Sequence, residues 1–413
     1  MNQSKEQNCE YIVVGNMKIL VVTQYYYPEP FRINEICEEL VKRGHIVTVL
    51  TTNPNYPNGD IYDGYKNEYN TEIIKGVKVI RCKSRPRYRG NFNLALNYIS
   101  FCIKAGICAF NLKEEYDVIY AYQLSPVTSV IPAIIYKKLN SIPLVLYCLD
   151  LWPESLKGSP LEEGIIYKGI KALSKIIYKQ ADKILVTSPS FIRYLNKSFS
   201  ITSAELLYQH SKDIHRMVIP VEFEKYKNYV NFLFMGNLGK SQNIECILKA
   251  ISLINDRSMF KLHIVGSGSN FENLKMLSTK LGVEDTVIFH GRKRKEELPK
   301  YYSIADVGIV SLKDEGFVGA TIPGKLQEYM AAGKAIIGCI NGDANIIIQD
   351  AKCGLTVQAN DHVGLSKCIM DLCNNKSIIE IYSQNSKLFF EKHFKISFYI
   401  DELLNHLDRM INV

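Results

Sequence analysis

The sequence predicts an α/β fold made of two doubly wound domains, each a parallel sheet covered by helices. Three observations carry this. From Met17 onward, short β-branched apolar runs alternate with helical patterns, the order that lays strands side by side in a parallel sheet. The alternation fades over residues 200–229, which fill with Lys, His and Glu, and then starts afresh, as expected of an interdomain linker. A chain of 413 residues also exceeds what one hydrophobic core usually serves.

The first sixteen residues are polar and acidic and hold no continuous apolar run, so residues 1–16 are expected to be a poorly ordered extension rather than a signal peptide. The first domain is assigned to 17–205. Lys18–Thr23 is its opening strand, the loop QYYYPEP (24–30) is too rich in Tyr and Pro to continue it, Phe31–Arg43 is a helix stopped by Gly44, and Ile46–Thr52 is the second strand. The loop 53–69, rich in Asn, Pro, Gly and Tyr, is long for such a fold, and long loops more often serve function. Val77–Cys82, Asp117–Tyr122, Pro143–Leu149 and Asp182–Thr187 are the further strands.

In open α/β sheets, ligands sit at the carboxyl ends of strands. That rule points to residues 24–30, 123–126 and 150–155. The last, DLWPES, holds the single Trp of the chain. Asp150 and Glu154 there can orient an acceptor hydroxyl or take its proton, with Trp152 as a stacking face; a turn with a buried Trp and a capping Asp satisfies the same residues. The apolar segment 92–112 follows Lys83, Arg85, Arg87 and Arg89. It reads either as a core helix after a solvated loop or as an amphipathic helix at a lipid surface.

Residues 206–230 are assigned to the linker and 231–385 to the second domain. Its first strand, Asn231–Met235, runs into GNLG (236–239) and a helix with the apolar stripe Ile244, Ile247, Leu248, Ile251 and Ile254. Glycines between strand and helix let backbone N–H groups approach a phosphate, so Gly236, Asn237, Gly239 and Lys240 are candidates. An ATPase P-loop would require Gly at position 234, which is Phe. Phe260–Val265, Thr286–His290, Asp306–Ser311, Lys334–Cys339 and Gly354–Gln358 complete the sheet. Arg292 follows the third of these next to Gly291, and residues 386–413 are expected to form a C-terminal helix.

Between the Asp306 and Lys334 strands lies EGFVGATIPGKLQEYMAAG (315–333). Thr321 as cap, Pro323 in the first turn and Gly333 as stop predict a helix of about three turns. Lys325 near its positive N-terminus suits a phosphate, and Glu328, three residues on, can accept from two sugar hydroxyls; a solvated Lys/Glu pair fits the same spacing.

The run Pro323, Lys325, Glu328, Tyr329, Met330, Ala331, Gly333, Lys334 resembles the nucleotide-sugar signature of glycosyltransferase family 4, retaining enzymes with the GT-B fold of two Rossmann-like domains facing a cleft. GNLGKSQN is similar to the first loop of that family's donor domain. MKILVVTQYYYPEPFRINEICEELVKRGHIVTVLTT and YCLDLWPES are similar to the acceptor domain of bacterial members that build surface polysaccharide. The resemblance implies that Lys325 contacts donor phosphate, Glu328 the ribose, the 236–240 loop the pyrophosphate, and Arg292 the base and phosphates. It also implies a C-terminal helix crossing back onto the first domain. Two departures stand out: a second family Glu, eight residues before Glu328, is Ala320 here, and an Arg often found after the first loop Gly is Asn237.

Composition agrees with a soluble protein of anionic partners. The charge of +8 is a mild basic excess, without a helix-turn-helix, zinc-finger or RNP pattern, so no nucleic acid is expected. Eleven cysteines without a CxxC pair suit reduced thiols in a cytoplasm. No Asp-x-Asp, HExxH or Cys/His cluster occurs, so neither a metal nor a cofactor is expected, and the leaving diphosphate must be met by Lys, Arg and helix dipoles. Taken with the resemblance, these residues lead to the expectation of a hexosyl- or N-acetylhexosaminyltransferase. It would take a nucleotide sugar, expected to be a UDP-sugar, to a lipid-linked O-antigen or capsule acceptor at the inner face of the plasma membrane. A GT-B nucleotide-sugar epimerase and a non-catalytic nucleotide-sugar-binding partner are the alternatives.

Overall fold

The computed structural model describes residues 15–412 apart from 58, 157–161, 215–218 and 315–320. Ala320 and Glu315, and nearly all of the 1–16 extension, therefore lie outside the described residues. Contacts group the chain into two units. One comprises residues up to Tyr147 with Ile176–Ile184 and Ile400–Val413; the other comprises Cys148–Lys175 with Leu185–Tyr399.

The first sheet has eight strands: β1 (Lys18–Val22), β2 (Ile46–Thr52), β3 (Asn70–Ile74), β4 (Val77–Cys82), β5 (Val118–Gln123), β6 (Leu144–Cys148), β7 (Lys183–Val186) and β8 (Ala204–Leu206). Their order is β3-β4-β2-β1-β5-β6-β7-β8. β1 pairs in parallel with β2 on one side and β5 on the other, so the order in which strands are added reverses at β1, and that switch point places the loop after β1 where open α/β sheets bind ligands. The second sheet has six: β9 (Val230–Met235), β10 (Phe260–Val265), β11 (Val287–Gly291), β12 (Val307–Ser311), β13 (Ala335–Cys339) and β14 (Gly354–Val357), in the order β11-β10-β9-β12-β13-β14. Here β9 is the switch strand, between β10 and β12. β1, β5, β6, β9 and β12 are buried almost throughout, as strands covered on both faces must be.

Three expectations need correction. β3 and β8 were not foreseen. β3 pairs antiparallel with β4 at the sheet edge, where its polar, half-exposed residues give no core pattern, and β8 is three residues long inside the stretch that reads as losing regular structure. The C-terminal helix is two helices, Lys376–His393 and Ile396–Ile411. The break falls at Phe394, whose fully buried ring packs 5.3 Å from Tyr208, and Lys395 N turns back to Phe390 O. Residues Ile400–Val413 group with the first unit, where Asp401 accepts from Arg43.

The loop after β1 is tied down by two buried charges. Glu29 has no exposed surface, and its carboxylate accepts from the amides of Tyr26 at 3.2 Å, Asn55 at 2.8 Å and Tyr56 at 2.7 Å. Arg81, also without exposed surface, donates to Glu72 and to the carbonyl oxygens of Thr52 and Tyr27. The loops after β1 and β2 are thereby fastened to β4. Burial pushes the Glu29 carboxyl up to about 7, against the three amides that favour the carboxylate.

The helix Asn91–Asn111 has two apolar faces. Asn97, Phe101, Ala105, Gly106 and Ala109 face the protein, whereas Phe92, Ile99, Ile103, Ile107 and Phe110 are 76, 53, 54, 54 and 65% exposed. Spacings of seven, four, four and three residues put these five on one outward stripe. By length and composition it is the one described helix able to cross a bilayer, yet its inner face is packed.

Glu29→Gln should present an amide N–H₂ to backbone donors. We expect a loss of about 1–3 kcal/mol of stability at pH 8 in denaturant unfolding, with an unchanged midpoint contradicting this account of the loop.

Candidate active site

The floor of the site in the second unit is made by two glycines. Gly236, with φ +145°, follows β9, and Gly266, with φ +144°, follows β10; a Cβ on Gly266 would lie 1.8 Å from Gly236 O. Only glycine permits that approach. Gly236 N donates to Val265 O and Leu238 N to Ser267 O. Two amides of the loop expected to cradle phosphate are thus spent on fastening it to the neighbouring loop. Asn237 and Lys240 are exposed, and Gly239 leads into a short turn, Lys240–Gln242, before the helix Ile244–Ser252.

The helix expected to begin near Thr321 begins at Gly324 and ends at Ala331, two turns rather than three. Pro323 stands at its N-cap with an extended ψ of 134°, and Thr321 is exposed ahead of it. Gly333 closes the helix in the left-handed region, φ +61°, as expected. Leu326, Tyr329, Met330 and Ala331 are its buried face, and Tyr329 OH accepts from Met235 N and donates to Leu233 O, pinning helix to β9.

Lys325 is turned inward. Its ammonium donates to the side-chain oxygen of Gln242 and sits 4.0 Å from the centre of the Phe234 ring; a Cβ on Gly236 would lie 3.9 Å from its Nζ. Withdrawal from water pushes its pKa down to about 7, with Glu328 acting in the opposite sense. A desolvated cation over an aromatic face gains on the order of 2 kcal/mol, less than the several kcal/mol that withdrawal of an ammonium costs. An anion beside the ammonium would offset the difference, as would loss of its proton.

Glu328, half-buried, accepts from Tyr302 OH at 2.9 Å, and burial followed by that carboxylate raises the Tyr302 phenol, which stays a neutral donor. Gln242, Phe234 and Tyr302 were missed in the sequence. Tyr302 lies on the helix Leu298–Ile304, and nothing at its position signals a partner 26 residues away. Arg292 is exposed at the end of β11.

Asp150 and Glu154 belong to a second cluster, after β6. Asp150 is half-buried and accepts from Ser155 Oγ at 3.3 Å. Glu154 is buried and accepts from Tyr167 OH at 3.0 Å, and burial, then Glu154, pushes that phenol up to about 12. Among the described residues no group of three or more His, Cys, Asp or Glu side chains converges.

Two doubly wound sheets, the second carrying a glycine floor, with an inward-turned lysine and a hydrogen-bonded glutamate on one short helix, define a GT-B glycosyltransferase. Residues 32–207 match Glycosyltransferase Family 4 and residues 217–389 match Glycosyl transferases group 1. The chain belongs to glycosyltransferase family 4. It is 23% identical to a glycosyltransferase of Methanocaldococcus jannaschii over 413 residues, covering 96% of this chain and 99% of that one. It is 22% identical to the O-antigen chain mannosyltransferase C of Escherichia coli, covering 94% and 97%. Anabaena HepE, solved in complex with UDP, shares the fold with a TM-score of 0.68 at 15% identity, over 95% of this chain and 100% of that one.

The geometry of Lys325 makes anion binding proton-coupled. Above about pH 7 the lysine of the free protein is largely neutral, so diphosphate binding should take up a proton and weaken as pH rises from 6 to 9, at most about ten-fold per unit. Gln242→Glu would pair the ammonium with a carboxylate, move the midpoint up and weaken binding. Calorimetry in two buffers of different ionisation enthalpy reads the proton directly, and buffer-independent heats would refute the coupling.

Proposed function

We propose that this glycosyltransferase moves a hexosyl or N-acetylhexosaminyl group, with retention, from a UDP-sugar to a lipid-linked saccharide of O-antigen or capsule type, in the cytoplasm at the inner membrane face. One observation carries the donor half: the half-buried Lys325 is turned in beside the glycine floor with an aromatic ring and a neutral amide next to it, three residues from Glu328. A diphosphate suits the ammonium and the loop around Gly236, Asn237, Gly239 and Lys240, with Arg292 and the helix start at Pro323 as further contacts. Glu328, oriented by Tyr302, suits ribose hydroxyls. UDP bound to Anabaena HepE supports this choice of nucleotide, and the Escherichia coli O-antigen mannosyltransferase supports the class of product.

The C1–O bond lengthens toward an oxocarbenium ion, and the acceptor hydroxyl attacks from the side the diphosphate is leaving. The departing phosphate oxygen takes the hydroxyl proton, so no separate base is required at C1. Asp150 and Glu154 orient the acceptor, Glu154 being fixed by Tyr167. The outward stripe of the helix Asn91–Asn111, next to Arg85 and Arg89, supports contact with an anionic bilayer.

Titration with UDP, GDP and ADP tests the donor site: one diphosphate should bind, roughly ten-fold or more weakly in Glu328→Ala. No binding by the folded protein would leave the non-catalytic reading, and an epimerised nucleotide sugar in the product chromatogram would mark the epimerase. Ile99→Ser with Ile103→Ser should abolish co-sedimentation with phosphatidylglycerol vesicles, and retained binding would remove the membrane contact.

A further inference from the structure

The loops that leave β1, β2 and β4 converge on one guanidinium. Arg87 N donates to Asn55 Oδ1 at 2.8 Å, its Nη1 donates to Tyr25 OH at 3.2 Å, and its guanidinium carbon lies 5.2 Å from the centre of the Tyr56 ring. Tyr25 stacks on Phe31 at 5.1 Å, and both rings meet Tyr56, at 5.4 and 5.0 Å. Asn55 and Tyr56 are themselves held by the Glu29 carboxylate. The site is thus built by the interior of the domain and is not a chance surface arginine.

The cation in it is uncompensated. Among the described residues no carboxylate forms an ion pair with Arg87; the groups acting on it are the phenols of Tyr25, Tyr98 and Tyr56. Burial raises the Tyr25 phenol, which therefore carries no charge to offset the guanidinium. Lys83, Arg85 and Arg89 in the same segment are exposed, whereas Arg87 is half-buried. A half-buried planar fork framed by neutral rings suits a phosphate, which it can meet with two parallel hydrogen bonds. Four residues on, the helix Asn91–Asn111 begins, and its outward stripe starts at Phe92.

We propose that Arg87, framed by Tyr25 and Tyr56, is the binding site for the diphosphate that joins lipid to saccharide in the acceptor, with the lipid chain following the Phe92–Phe110 stripe. This deepens the lipid-linked acceptor reading and rests on it. A bilayer phospholipid offers a single phosphate, which exposed Arg85 and Arg89 meet without burial; the half-buried Arg87 selects the denser charge of a diphosphate that can enter between the loops.

The test titrates farnesyl diphosphate, below its micellar concentration and with saturating UDP present to occupy the donor site, into wild type, Arg87→Gln and Arg87→Lys. Wild type should bind. Arg87→Gln should bind roughly ten-fold or more weakly and Arg87→Lys in between, since it keeps the charge and loses the fork. Binding to phosphatidylglycerol vesicles and to UDP should stay within about three-fold in both variants, which also shows that they are folded. Equal farnesyl diphosphate affinity in all three proteins overturns the proposal, as does a parallel loss of vesicle binding, which would make Arg87 a general membrane contact. Failure of wild type to bind UDP would count against the donor reading alone, because the farnesyl diphosphate series still reports on Arg87.

Discussion

Taking an ammonium out of water next to a ring and a neutral amide is unfavourable unless an anion joins it or its proton leaves, and the second unit is arranged around that imbalance. β9 supplies Phe234 beneath Lys325, the turn after the glycine loop supplies Gln242, and the helix Gly324–Ala331 is pinned to β9 through Tyr329 so that Lys325 cannot swing away. Placing the charge beforehand reduces the reorganisation needed when charge develops on a leaving phosphate. Asn237, exposed on the same glycine loop, brings no charge of its own.

The first unit solves a different problem. Loops after parallel strands have no partner strand to hold them, and here the chain uses buried charge: Glu29 collects three amides and Arg81 two carbonyl oxygens and a carboxylate. A Tyr- and Pro-rich loop can then be as well defined as a glycine-rich one, and it carries aromatic surface that glycine could not.

Strand runs were legible because a strand covered on both faces must be continuously apolar, which MKILVV, NFLFM and AIIGC plainly are. The Lys325/Glu328 pair was legible as a motif, but its surroundings were not. Gln242 and Tyr302 reach the pair from 83 and 26 residues away in the chain, and a polar side chain on a short turn looks the same whether it faces solvent or an inward-turned ammonium. The helix start was misplaced because Thr321 is a good cap by type, whereas the extended Pro323 sets the boundary. Segment 92–112 resisted a single reading because it truly has two apolar faces, one packed and one bare.

The contact between Gly236 and Gly266 also bears on how such an enzyme can diversify. A side chain on Gly266 could fit only if the Gly236 loop moved, and Gly236, at φ +145°, holds a backbone conformation strained for any residue with a Cβ, so a single change at either position is disfavoured. Asn237 and Lys240, exposed on the same loop, face no such steric bar to substitution. Selection for a new donor can therefore explore the rim of the site one residue at a time while its floor stays unchanged.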